Sequence, residues 1–227
     1  MVNVLLESYD LTADYLCQTL HRYIKPGSKV AILAFSFLDS QARCDEDWQG
    51  LYGKESGMFY HWLVDPFAEF GISEENIRFV NYFTDTKESA AQALEQADIL
   101  YFTGGLPDRM MERIDEFALR EVLLRHDGIV LGCSAGAVIQ LEEYHLSPDR
   151  DYPAFGYYPG LPWLKDFYVE VHYEASDVQH QAIRRVLQER GKTVYATAQN
   201  AGAIVVDEAG IQLLGNVKVF QPGDTLV

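Results

Sequence analysis

Residues 129–141, IVLGCSAGAVIQL, constrain the chain most. The apolar run Ile129-Val130-Leu131 reads as a strand. It enters a turn of small residues, Gly132-Cys133-Ser134-Ala135-Gly136, and leaves as Ala137-Val138-Ile139-Gln140-Leu141, which continues as a helix. Strand, G-x-S-x-G turn and helix are the context in which a serine hydroxyl is held clear of the backbone as a nucleophile elbow. The first helical residue has an N–H without an intrahelical acceptor, so it faces any negative charge that develops beside the serine. The competing reading is a glycine-rich turn needed only for close strand–helix packing.

The rest of the chain supports an alternation of strands and helices. Val2–Leu6, Lys29–Phe35, Ile77–Phe83, Asp98–Thr103 and Phe167–His172 read as strands with near-continuous apolar runs, the pattern of a sheet buried on both faces. Helical spacing is expected from Tyr15 to Ile24, over Met58–Phe70 (Phe59, Trp62, Leu63, Phe67 and Phe70 forming a core stripe), over Lys87–Gln96, from Pro107 to Leu123, and over Ala175–Arg190. Ser36–Gly57 has no clear period, and Glu142–Asp166 reads as a long proline-rich connection. Thr193–Ala196, Ala203–Val206, Ile211–Leu214 and Lys218–Phe220 read as short strands of an antiparallel edge. Such alternation predicts one α/β domain over 1–227: a three-layer, open, mainly parallel sheet with helices on both faces.

Formal net charge is −16, which argues against a nucleic-acid partner, because phosphate binding needs clustered Lys and Arg. No run reaches the roughly 18 apolar residues of a membrane span, and the N-terminus does not read as a signal peptide. Three cysteines, Cys17, Cys44 and Cys133, without regular spacing fit a reducing cytoplasm. No metal-ligand spacing appears, so neither a metal nor a cofactor is expected.

Ligand sites of open α/β sheets lie beyond the carboxyl ends of the strands. Three features fall there: Gly104-Gly105, Ser134 and His172. A serine needs a general base to attack a carbonyl. His172 ends a strand and is the favoured base. His145 in the long connection is second, and His21, His61 and His126 sit on or after helices away from that edge. The base in turn needs a carboxylate. Glu142, Glu143, Asp149, Asp151, Asp166 and Glu170 are available, and spacing does not choose among them.

Y-F-T-G-G at 101–105, G-C-S-A-G-A at 132–137 and the histidine 38 residues after the serine resemble the dipeptidase E and cyanophycinase family of serine peptidases. The resemblance runs from about Val30 to the C-terminus. It implies a fold like that of class I glutamine amidotransferases (flavodoxin-like), in which serine at position 134, not cysteine, favours the peptidase branch. It further implies Ser134 as nucleophile, His172 as base, the N–H groups of Gly105 and Ala135 as oxyanion hole, and Asp151 of Asp151-Tyr152-Pro153 as acidic partner, with Asp149 second. The family's preference for aspartyl peptides implies a local cation, for which Arg184, Arg185 and Arg109 are candidates. Val171 departs from the proline usual before the histidine. The expected function is hydrolysis of small peptides, with a homodimer allowed by the resemblance. A non-peptide amidase or esterase, or a binding protein that keeps the elbow, are the alternatives.

Overall fold

The computed structural model describes residues 1–224, apart from the side chain of Asn200. In chain order it comprises β1 (Val2–Leu6), α1 (Asp14–Leu20), β2 (Val30–Leu33), α2 (Asp45–Tyr52), α3 (Tyr60–Val64), β3 (Ile77–Val80), α4 (Lys87–Glu95), β4 (Ile99–Phe102), α5 (Pro107–Glu116), α6 (Arg120–Leu124), β5 (Ile129–Cys133), α7 (Ala135–Val138), β6 (Glu143–Leu146), β7 (Gly156–Pro159), β8 (Phe167–Tyr173), α8 (Asp177–Arg190), β9 (Thr193–Asp207) and β10 (Gly210–Phe220). The main sheet has the order β10-β9-β1-β5-β4-β2-β3, with β8 also paired to β9. Strands β1, β5, β4, β2 and β3 are mutually parallel. The β9 strand runs antiparallel to both β1 and β10. The expected open, mainly parallel α/β sheet is therefore present.

Alternation along each strand feeds two cores. Leu100, Phe102 and Val130 face one, with Met110, Ile114 and Leu123 from the helices. Ile99, Tyr101, Ile129 and Leu131 face the other, with Leu16, Leu20 and Phe67. Burial on both faces is what the continuous apolar runs require. Among the described residues, no helix is long and apolar enough to cross a membrane.

Several elements differ from the pattern reading. The helix expected over Met58–Phe70 is α3 followed by a 3₁₀ segment, Asp65–Phe70; Pro66 has no N–H to continue an α-helical ladder. The helix expected from Pro107 to Leu123 breaks between α5 and α6, where Ala118 has φ 55°. The long connection contains the hairpin β6–β7. The four short C-terminal strands are two long ones, β9 and β10, with a pairing irregularity between Gly215 and Val217.

One topological feature positions the site. The first part of β9 pairs with β8, up to Tyr173 opposite Ala198. Its last part pairs with β1, which ends at Leu6 opposite Ala203. Because β8 is parallel to β9 and β1 antiparallel, the carboxyl ends of β8 and β1 converge on the same short stretch of β9.

Candidate active site

Ser134 follows β5, and its N–H donates to Leu6 O at 2.8 Å. The register places Cys133 beside Leu6, so Ser134 and Glu7 leave adjacent strands side by side. Ser134 has φ 50° and ψ −106°, a strained conformation of the kind concentrated at functional turns. The glycines around it allow close packing as well: a Cβ on Gly136 would lie 2.3 Å from Phe102 O. Elbow and packing turn are thus one structure. Gln140 ties α7 to β1, accepting from Asn3 Nδ2 at 3.0 Å and donating to Val4 O at 3.3 Å.

His172 lies where the β8–β9 register shifts, between Glu170 and Tyr173, and has φ 53°. An irregularity of this kind re-aims a side chain that regular pleating would direct elsewhere. Its carbonyl accepts from Gln179 Nε2 at 2.9 Å. Gln179 also completes the capping box that Ser176 makes at the start of α8.

Ser134 Oγ lies 2.7 Å from His172 Nε2. His172 Nδ1 is hydrogen-bonded to Glu7 Oε1. A carboxylate only accepts, so Nδ1 carries the proton and Nε2 is left as the acceptor for the serine O–H. The Glu7 side chain is 1% exposed and that of His172 49%. A buried carboxylate thus fixes a ring whose other edge faces an open cleft.

Gly104 N–H donates to Tyr9 Oη at 2.7 Å, which anchors the loop after β4. Burial raises the Tyr9 hydroxyl well above the ordinary phenol range, so it remains a neutral anchor. Gly105 has φ 140°, and a Cβ there would lie 2.3 Å from Ser36 O; only glycine fits. Among the described residues, neither the Gly105 nor the Ala135 N–H has a hydrogen-bond acceptor. Gly105 and Ser134 line the same cleft, of about 920 Å³. The adjacent Cys133 thiol is buried, and burial first, then the Glu7 charge, pushes its pKa far up. A thiol held neutral is a poor nucleophile.

The structure brings together Ser134, His172 and the two glycine-flanked turns. It does not bring Asp151 to them. His172 is paired instead with Glu7, a residue the sequence reading did not single out. Asp151 is exposed, and its N–H donates to Asp149 Oδ1 at 2.8 Å within a local turn. His145, the second candidate base, is buried 2.7 Å from Glu170 Oε2, which also accepts from Ser147. Glu142 lies 3.5 Å from Lys165, and Glu143 pairs with Arg190. Asp166 is an exposed residue before β8. None of these lines the cleft.

The arginines also fall elsewhere. Arg185 is bonded to Glu189 at 2.7 Å and sits over the Phe155 ring. Arg109 pairs with Asp39 and Glu112. Among the described residues, no Arg or Lys lines the cleft, and Arg184 is absent from its walls. His61 and Trp62 of α3, expected away from the site or in the core, do line it.

The sequence model of peptidase family S51 matches residues 60–214. Among solved structures, a Listeria monocytogenes EGD-e protein named after peptidase E is similar with TM-score 0.65 and 16% identity, over 95% of this chain and 98% of that one. A peptidase from an acI-B1 Actinobacterium is similar with TM-score 0.58 and 14% identity, over 98% and 95%. No curated protein matches the chain significantly.

Proposed function

The chain belongs to peptidase family S51, and from that premise we propose that it is a serine-type peptidase that cleaves small peptides through an acyl-enzyme on Ser134. The observation that carries this reading is the continuous chain from Ser134 Oγ through the His172 ring to the buried Glu7 carboxylate.

Ser134 attacks the scissile carbonyl while His172 Nε2 takes its proton. Glu7 keeps the ring in the required tautomer and stabilises the imidazolium. The carbonyl oxygen becomes an oxyanion held by the Gly105 and Ala135 N–H groups. One such donor contributes about 3–4 kcal/mol in comparable sites. Collapse expels the amine, which His172 protonates. His172 then activates water to release the acid and restore Ser134. Three unpaired cysteines support a reducing cytoplasmic setting. We treat residues 1–227 as one catalytic domain.

The test is labelling by a fluorophosphonate together with hydrolysis of a mixed dipeptide panel. Wild type labels at Ser134 and hydrolyses at least one member; Ser134→Ala does neither. An unlabelled wild type without hydrolysis defeats the reading.

A further inference from the structure

The walls of the cleft carry information about substrate that the Ser134–His172–Glu7 chain does not. The lining is rich in aromatic rings: Tyr9, Phe37, Tyr52, Phe59 and Trp62, with Pro66. Trp62 is 60% exposed, although it belongs to a helix whose Leu63 is fully buried. The Trp62 ring meets that of Phe59 at 6.0 Å between centroids, and Phe59 in turn meets Tyr52 at 5.7 Å; a contiguous apolar patch in a cleft marks a surface that a ligand covers. Tyr52 is buried, and burial first pushes its hydroxyl up to about 12, so at neutral pH it contributes an uncharged wall.

The charged groups of the cleft are mostly of one sign. Besides Glu7, which is engaged by His172, the lining carries the carboxylates of Asp10 and Asp65. Asp10 Oδ1 accepts from Thr12 N–H and Thr12 Oγ1, which fixes the carboxylate on the loop just beyond Glu7. Asp65 lies 3.3 Å from His61 Nδ1, both side chains being largely exposed. Arg113 packs on Phe37 at 3.7 Å from the ring centroid. Its donors are committed to Phe35 O, Phe37 O and Asp39, and it is not part of the lining.

We propose that this cleft selects small peptides with a free ammonium and a bulky apolar, preferably aromatic, side chain next to the scissile bond, and that it disfavours aspartyl peptides. The proposal rests on the serine-peptidase reading. An aspartyl side chain would leave water for an aromatic wall with no Arg or Lys in it and with carboxylates of its own sign nearby. That combination penalises a charge twice, through desolvation and repulsion. A phenylalanyl or leucyl side chain covers Trp62 and Phe59 instead, and the substrate ammonium is favoured by Asp10 and Asp65. Both carboxylates are exposed, so their share is screened by salt; the aromatic wall dominates the selectivity.

The experiment compares kcat/KM for Phe-Ala, Leu-Ala, Ala-Ala, Asp-Ala and N-acetyl-Phe-Ala, with fluorophosphonate labelling in parallel. Phe-Ala and Leu-Ala should exceed Asp-Ala by about tenfold or more, the scale a hydrophobic pocket supplies. Acetylation should lower the rate on the phenylalanyl substrate. Trp62→Ala should lower kcat/KM for Phe-Ala several-fold more than it lowers kcat/KM for Ala-Ala, so that the preference for Phe-Ala shrinks. A wild type that labels at Ser134 but prefers Asp-Ala overturns the proposed selectivity and leaves the peptidase intact. A preference for Phe-Ala that survives Trp62→Ala unchanged, or that does not need the free ammonium, also overturns it. Absence of both labelling and hydrolysis overturns the peptidase reading, and this proposal with it.

Discussion

Glu7 and His172 are 165 residues apart in the chain, yet the carboxylate of one holds Nδ1 of the other. They meet because β1 and β8 approach β9 from opposite directions and end over the same stretch of it. Glu7 has the burial and the hydrogen bond that a triad carboxylate needs; Asp151 has neither. Glu7→Gln should therefore lower kcat by about 10³–10⁴, because the amide cannot hold the ring in the same tautomer or stabilise its charged form. Asp151→Ala should leave kcat within about twofold, as surface changes outside special features have small effects. Steady-state kinetics on any cleaved dipeptide checks both, and a large loss in Asp151→Ala would restore the assignment that the resemblance suggests.

Ser134 couples activity to strain. At φ 50° and ψ −106° a residue with a Cβ is strained, at a cost of about 1–3 kcal/mol. Ser134→Ala and Ser134→Gly both remove the hydroxyl proposed as nucleophile, and both should be inactive. They should differ in stability. Glycine relieves the strain but costs up to about 1 kcal/mol in the freedom of the unfolded chain. The glycine variant should thus be more stable than the alanine variant by about 1 kcal/mol. Urea unfolding of the pair measures the difference, and a glycine variant less stable than the alanine variant by about 1 kcal/mol would show that the elbow is unstrained.

That Ser134 and His172 come together was legible in the sequence, because each depends on local pattern: a turn after an apolar run, and a polar residue near a strand end. Glu7 was not. It follows the first strand as an ordinary acidic residue, and its role depends on two strands pairing with different parts of β9. The polar interruption around Gln199 makes β9 read as two short strands, and that reading hides the convergence. Trp62 also departs from its pattern, being 60% exposed and not part of the core. The apolar stripe of Met58–Phe70 has helical spacing, but the α-helical geometry stops at Val64. Leu63, Phe67 and Phe70 are buried, while Phe59 and Trp62 turn to the cleft. The prolines of the long connection likewise masked the hairpin β6–β7. The strands of the parallel core, by contrast, are read from continuous apolar runs, and the fold class, though not the strand order, follows from their alternation with helices.

Of the two proposed oxyanion donors, Gly105 is the more vulnerable to mutation. Its φ of 140° and the 2.3 Å separation from Ser36 O that any Cβ would impose mean that Gly105→Ala must displace the loop. Displacing one oxyanion donor costs about 10²–10³ in kcat. The expected result is that loss in kcat with a much smaller change in KM, since the donor acts on the transition state and not on the bound ground state. An equal rise in KM with unchanged kcat would assign the loop to substrate binding instead.

His126 gives a dependence of stability on pH that is independent of catalysis. The ring lies in the turn before β5, with Nε2 3.2 Å from Ile129 O. Its pKa is lowered, first by burial, which disfavours the imidazolium; the Ile129 carbonyl and nearby Asp127 and Asp98 only partly oppose this. The unfolded chain therefore binds this proton more readily than the folded one. Above the ordinary histidine range both forms are neutral and His126 contributes no slope. As pH falls below about 6.5, the unfolded state gains protons first, and folding stability declines until the folded pKa is passed. His126→Gln keeps an N–H donor but does not titrate. Its unfolding free energy should fall less steeply than that of wild type between about pH 7 and pH 5. Urea titrations across that range read the two slopes directly; if they coincide, burial of His126 does not contribute to the acid sensitivity of the fold.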